Sequence, residues 1–135
     1  MADNVQRVAI AVVEQDRHYL VGTRRPGDVL AGHAEFPGGK CLPTEDGRAC
    51  AVRECLEETG IDVIALHVLY RCRHEYAHGT LDLEFWLCRP ASPETAWHVG
   101  GGFEWVPVQA LKSLQFPEAN WPVLGLLAAN GACVG

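Results

Sequence analysis

The segment Asp46–Gly60 constrains this chain more than any other. Asp46 stands where an N-cap belongs, and Gly60 stands where a left-handed residue closes a helix. At 100° per residue, Ala51, Val52, Cys55, Leu56 and Thr59 gather on one half of the intervening helix. Arg53, Glu54, Glu57 and Glu58 gather on the other. Glu54 and Glu58 are four residues apart, a spacing at which like charges repel. A solvated acidic surface is the ordinary reading of such a face. Two features oppose it. The three glutamates fall within about 100° of arc, which assembles hard oxygen donors of the kind Mg²⁺ or Mn²⁺ takes. The helix also follows Gly38-Gly39, where a bare backbone permits close approach of a ligand. Arg53 lies four residues before Glu57 and is placed to hold its carboxylate.

The rest of the chain reads as alternating strands and helices. Val5–Val13 is a β-branched, apolar run and predicts a buried strand. Tyr19–Thr23 predicts its hairpin partner. Arg24–Gly39 reads as a loop, broken by Pro26, Gly27, Gly32 and Pro37. Strands are expected at Ile61–Tyr70, at Leu81–Cys88 with Leu81, Leu83, Phe85 and Leu87 on one face, and at Phe103–Val106. Helices are expected at Val108–Leu114 and Pro122–Ala129. This order predicts an α/β layered fold with a mixed β-sheet, residues 1–135 forming one domain. Six cysteines, with no CxxC pair and no secretory signal, read as free thiols of a reducing cytosol, several of them core fillers. Seventeen acidic residues against eleven basic ones give a net charge of −6. That balance opposes a nucleic-acid polymer or an anionic membrane as partner. No stretch is long enough to span a bilayer, so a cytoplasmic location is expected.

Gly39, Glu45 and the run Arg53-Glu54-Cys55-Leu56-Glu57-Glu58-Thr59-Gly60-Ile61 resemble the Nudix box, G-x5-E-x7-R-E-U-x-E-E-x-G-U with U a bulky aliphatic. All seven fixed identities are present, which by chance comes to about 10⁻⁸ per starting position. Cys55 departs from the first U, on the apolar face where cysteine serves as a small hydrophobe. Thr23-Arg24-Arg25, Glu35-Phe36-Pro37-Gly38-Gly39-Lys40, Phe103-Glu104-Trp105 and Phe116-Pro117-Glu118-Ala119-Asn120 extend the similarity to the MutT-type branch, from about Val5 to Leu127. The resemblance implies an α/β/α sandwich and a cytoplasmic nucleotide-pool hydrolase acting on phosphorus-containing anhydrides. Its implied substrate is a nucleoside triphosphate, notably 8-oxo-dGTP, cleaved to the monophosphate and pyrophosphate. CTP, a dinucleoside polyphosphate or a nucleotide sugar is the alternative substrate, and a nucleotide sensor without turnover is the alternative function. Glu54, Glu57, Glu58 and the Gly38 carbonyl are implied ligands of Mg²⁺, with Mn²⁺ able to substitute. Arg53 and Glu45 are implied members of the catalytic site. Arg24, Glu35, Phe36, Pro37, Gly38 and Asn120 are implied to bind the nucleotide.

Some features stay open at this level. Asn120 is either a base reader or a helix cap before Trp121-Pro122. His74, Tyr76 and His78 alternate along a strand, as a polar surface or a metal site. The four tryptophans serve packing or base stacking. The MutT branch carries an additional glutamate where this chain has Val99. The base candidates nearby are His98, Glu94 and Glu104, with the helix glutamates as the alternative.

Overall fold

The computed structural model describes residues 5–28 and 30–134, with the side chains of Tyr76 and residues 130–134 outside the description. The reading of Cys133 as a free thiol therefore falls outside the described side chains. Its organising pair is β1 (Val5–Gln15) and β6 (Gly79–Pro90), which run parallel from Val5↔Thr80 to Val13↔Cys88. Both strands bury apolar residues on both faces. Ala9, Ala11 and Val13 of β1 join Trp86 and Cys88 in one buried cluster, while Val12 joins Leu83 and Phe85 in a second on the opposite side. The expected single apolar face of β6 is thus only half of its burial. A strand in the middle of a two-layered core has no face left for water.

The helix predicted between Asp46 and Gly60 is α1 (Gly47–Thr59). Asp46 Oδ1 accepts from the Ala49 N–H at 2.8 Å, and Gly60 closes the helix at φ 79°, donating to the Leu56 carbonyl at 2.9 Å. Ala51 and Cys55 are fully buried against the β1/β6 sheet, as the wheel requires. Leu56, assigned to the apolar half, is exposed. It lies at the edge of that half, where the sheet no longer covers it.

The strand after α1 is longer than expected. β5 (Val63–Tyr76) forms an antiparallel hairpin with β6 and carries irregularities at Ala65/His67 and Val68/Tyr70. Its second half is polar and carries no apolar alternation. β2 (His18–Thr23) turns back from β1 through Asp16 and Arg17, both at positive φ. That is the backbone a tight two-residue hairpin demands. The segment read as loop contains two short strands, β3 (Ala34–Glu35) on β2 and β4 (Gly38–Lys40) on β1. β7 (Glu104–Pro107) completes the mixed sheet beside β2. The helix expected at Val108–Leu114 is a 3₁₀ helix over Val108–Ser113, with only Leu111 buried. The closing helix, α2 (Trp121–Val134), buries Val123 and Leu127 against the second cluster. Helices cover both faces of a mixed sheet, as the α/β/α expectation requires. Among the described residues, no helix is long and apolar enough to cross a membrane.

Candidate active site

β4 passes directly over the acidic face of α1. The pairing Ile10↔Gly38 and Ala9↔Gly39 fixes it there, and the Pro37 carbonyl accepts from the Ala11 N–H at 2.8 Å. The fit is close: a Cβ on Gly39 would lie 2.5 Å from the Glu54 carboxyl carbon, and one on Gly38 would meet the Ala9 carbonyl oxygen at 2.7 Å. At Gly38 the obstacle is backbone, so only glycine fits, while at Gly39 a side chain would displace the Glu54 carboxyl.

Arg53 holds the acidic face together. Its Nε and Nη2 donate to the two oxygens of Glu45 at 2.8 and 2.9 Å. Nη1 donates to Glu54 at 3.1 Å and to Glu57 at 3.2 Å, and Nη2 reaches the Lys40 carbonyl at 3.1 Å. A planar guanidinium suits this forked arrangement. The structure thus places Glu45 as the brace of Arg53, a role the spacing alone did not show. The Arg53 hydrogen bonds, helped by the Leu42 N–H, hold the Glu45 carboxyl down at about 2. Arg53 is correspondingly raised, chiefly by Glu45.

Glu58 is in the opposite state. Burial first, then its hydrogen bond with Glu54, pushes its carboxyl up to about 8, against a weaker opposing bond from the Gly38 N–H at 3.4 Å. Two carboxyls share a hydrogen bond only when one holds a proton. Hard oxygen donors crowded under the Gly38-Gly39 backbone are chemically suited to a divalent cation, which would replace that proton. Among the described residues no three ligating side chains already converge on one point. Arg53 keeps Glu54 and Glu57 on its own N–H groups.

Two cavities flank Gly38, which lines both. One, of about 670 Å³, is bounded by Glu57, Glu58, Arg25 and Phe103, with Gly100 and Gly101 at its rim. The other, of about 440 Å³, has an apolar floor of Val8, Ile10, Leu81, Leu83 and Phe85. Arg24, Phe36 and Asn120 wall it, and Glu35 borders both cavities. Burial raises the Glu35 carboxyl against the lowering effect of Arg24, 3.4 Å away. Phe36 stacks near Phe116 with centroids 4.9 Å apart. Pro37 is fully buried and lines neither cavity. Asn120 ends a 3₁₀ turn and lines the cavity, and its Nδ2 donates to the Pro117 carbonyl at 3.3 Å. Gln6 also lines this cavity, and nothing in its sequence neighbourhood had marked it.

The loop candidates for a base are not brought to the site. Glu94 sits in the exposed turn Pro93–Thr95, whose Pro93 carbonyl is held by Gln15. His98 and Glu104 are exposed, and none of the three lines either cavity. Val99 packs against the core beneath α1. No tryptophan lines the two cavities; Trp97 and Trp105 pair edge-on at 5.2 Å. His74 and His78 lie exposed at the β5–β6 hairpin end, and Tyr76's side chain is among those outside the description.

Fold and site together define an α/β/α protein with a carboxylate-rich helix beneath the glycine pair of β4, flanked by two cavities. The chain belongs to the NUDIX domain family, whose pattern matches residues 8–126. It is 30% identical over 122 residues to an 8-oxo-dGTP diphosphatase of Escherichia coli K12, covering 90% of this chain and 95% of that one. An 8-oxo-dGTP diphosphatase of Buchnera aphidicola is 32% identical over 105 residues, 74% of this chain and 81% of that one. Among solved structures, the E. coli ORF135 protein superposes with a TM-score of 0.75 at 25% identity, covering 96% of this chain and 92% of that one. MutT from methicillin-resistant Staphylococcus aureus 252 gives 0.74 at 26% identity, covering 96% and 99%.

Proposed function

We propose that this chain is a Mg²⁺-dependent pyrophosphohydrolase of nucleoside triphosphates, with 8-oxo-dGTP preferred and the monophosphate and pyrophosphate as products. The observation that carries this reading is the Glu54–Glu58 carboxyl pair beneath Gly38-Gly39, with Glu58 lining the cavity on one side of Gly38 and the apolar-floored pocket that reaches Asn120 on the other. The names of the curated relatives point to the same substrate. Glu54, Glu57, Glu58 and the Gly38 carbonyl would hold the cation. When bound, Mg²⁺ supplies charge neutralisation of the phosphates and a more acidic water, and Mn²⁺ would substitute. The protein carries net −6, so an anionic substrate needs that bridge. For Glu54 and Glu57 to hold the cation, Arg53 Nη1 would have to give up its bonds to them, while the Glu45 carboxylate would keep the guanidinium in place. Arg24 and Arg25 face the phosphates. Phe36 and the floor take the base, and Asn120 hydrogen-bonds its edge. A helix carboxylate accepts the water's proton, because Glu94, His98 and Glu104 lie away from both cavities. The complete glutamate set counts against a sensor without turnover.

A panel of 8-oxo-dGTP, dGTP, CTP, a dinucleoside polyphosphate and a nucleotide sugar, assayed with Mg²⁺ for phosphate and pyrophosphate, tests the reading. Pyrophosphate release fastest from 8-oxo-dGTP, and abolished by chelation, is the expected result. Faster turnover of another member replaces the substrate. No turnover of any member removes the activity.

A further inference from the structure

We propose that Gln6 is a second specificity-determining residue, an amide that reads the edge of a purine base remote from the phosphates. This inference rests on the nucleotide reading of the pocket. In the register of β1 and β6, Gln6 lies beside Leu81, Val8 beside Leu83 and Ile10 beside Phe85, all on the α2 side of the sheet. Among the described residues, Gln6 is the one polar side chain in that floor. It is half-buried and makes no side-chain hydrogen bond to another described residue.

Position along the strand assigns the end of the ligand it meets. Ile10 pairs with Gly38, beside the carboxylates. Gln6 is four residues further out, about 13 Å along the strand. A nucleotide with its phosphates at Gly38 and its base on the apolar floor therefore points its far edge at Gln6. Asn120 stands on the wall, with one amide N–H already given to Pro117. The two amides thus address different edges of one base.

A base covering Gln6 removes its amide from water. That is costly unless the base supplies both a donor and an acceptor. A guanine-type edge does so with its N1–H and 2-amino group beside O6, and an adenine-type edge does so with its 6-amino group beside N1. An unsubstituted purine, with C–H at positions 2 and 6, does not. Gln6 therefore selects for a base with exocyclic polar groups on the six-membered ring. It adds a criterion that an oxidised C8 does not touch.

The test is calorimetric titration of the parent, Gln6→Leu and Gln6→Glu with dGMP, dAMP and 2′-deoxyribosylpurine 5′-monophosphate in Mg²⁺, with circular dichroism to verify folding. The parent is expected to prefer dGMP to the unsubstituted purine. Gln6→Leu should lower that preference about tenfold, the scale of one well-made hydrogen bond and the penalty for leaving it unmade. It should leave the affinity for the unsubstituted purine unchanged or improved. Gln6→Glu offers only acceptors, so its dGMP-to-dAMP ratio should rise, because adenine N1 loses its donor. This second variant keeps the chain polar at the same length and decides the matter if the leucine variant does not fold. Parental ratios in both variants, or a parent indifferent to the exocyclic groups, overturn the proposal. Hydrolysis is measured separately. A parent that shows the preference without turning over triphosphates sinks the proposed activity and leaves Gln6 standing. Turnover with unaltered base ratios in the variants does the reverse. Failure of every monophosphate to bind, with no turnover of any triphosphate, removes both.

Discussion

Glu58 and Glu45 lie on either side of the same arginine network and titrate in opposite directions, which gives the metal-free protein a distinctive pH dependence. The Glu58 carboxyl sits at about 8 when folded, against 4.5 for an ordinary glutamate. Between those values the native state holds more protons than the unfolded state, so this group lowers stability as pH rises through that window. Glu45, held at about 2, contributes stability above its ordinary 4.5 that is lost as pH falls towards 2. Thermal melts in chelator should therefore fall between pH 5 and 8 in the parent, and Glu58→Gln should flatten that slope and melt higher at pH 8. The same variant, and Glu57→Gln, should lose several orders of magnitude in turnover; parental rates in purified Glu57→Gln would contradict the site. Asn120→Ala should narrow the ratio of kcat/KM between 8-oxo-dGTP and dGTP more than it slows either, since a site built around a polar edge discriminates by leaving groups unpaired. An unchanged ratio would reduce Asn120 to the partner of the Pro117 carbonyl. His98→Ala, Glu94→Gln and Glu104→Gln should each keep near-parental rates across pH. A hundredfold loss with a missing basic limb in any one would bring the loop back as the source of the base.

At the level of elements, α1 and β4 do different work. α1 is terminated by local signals, and removing one costs stability without touching chemistry. Asp46→Ala should cost about 1 kcal/mol and lower Tm by about 3 °C, with kcat unchanged. β4 is positioned by approach. Gly39→Ala places a methyl against the Glu54 carboxyl, which can swing away, so the fold should survive while turnover falls sharply. A scanning melt and an activity assay on the two variants separate these roles, and the reverse pattern would overturn them. The difference also explains what the sequence revealed. Asp46 and Gly60 mark α1 by local chemistry, and the box glutamates announce their shared face by spacing alone. β3 and β4 escaped notice because strands of two and three residues exist only through pairing with β2 and β1, far away in sequence. The polar end of β5 was missed because its exposed hairpin needs no apolar alternation. Val99 was located as the departure from the family, but its destination under α1 depended on the glycine-rich loop closing over the helix end. There the Gly100 N–H donates to the Thr59 carbonyl at 2.9 Å. Gln6 carried no motif, and only the parallel register of β1 with β6 puts it in the pocket.

Across the whole molecule the sheet separates two cores, and the site spans both. The carboxylates belong to α1 and rest on the cluster containing Ala9, Cys55 and Trp86. The base pocket belongs to the other side, where Phe36, Phe116, Val123 and Leu127 form one buried cluster and Asn120 leads directly into α2. Damage to one core should therefore reach one half of the function. Leu127 is 1% exposed and lies on the α2 helix that Asn120 precedes. Leu127→Ala removes a buried isobutyl group and should cost about 2–5 kcal/mol, depending on how far the cavity collapses. The void leaves α2 less firmly seated, and with it the Pro117–Asn120 turn and the Phe116 ring that backs Phe36. KM for nucleotides should rise and base discrimination should weaken at temperatures where the variant stays folded. Metal affinity should not change, because Gly38, Glu54 and Glu58 are fixed by β1 and α1 on the opposite face. Steady-state kinetics and Mn²⁺ titration of Leu127→Ala, both well below its melting temperature, measure the two halves independently. Equal losses in metal affinity and nucleotide binding would show that the two cores respond as one unit and that the sheet transmits the defect between them.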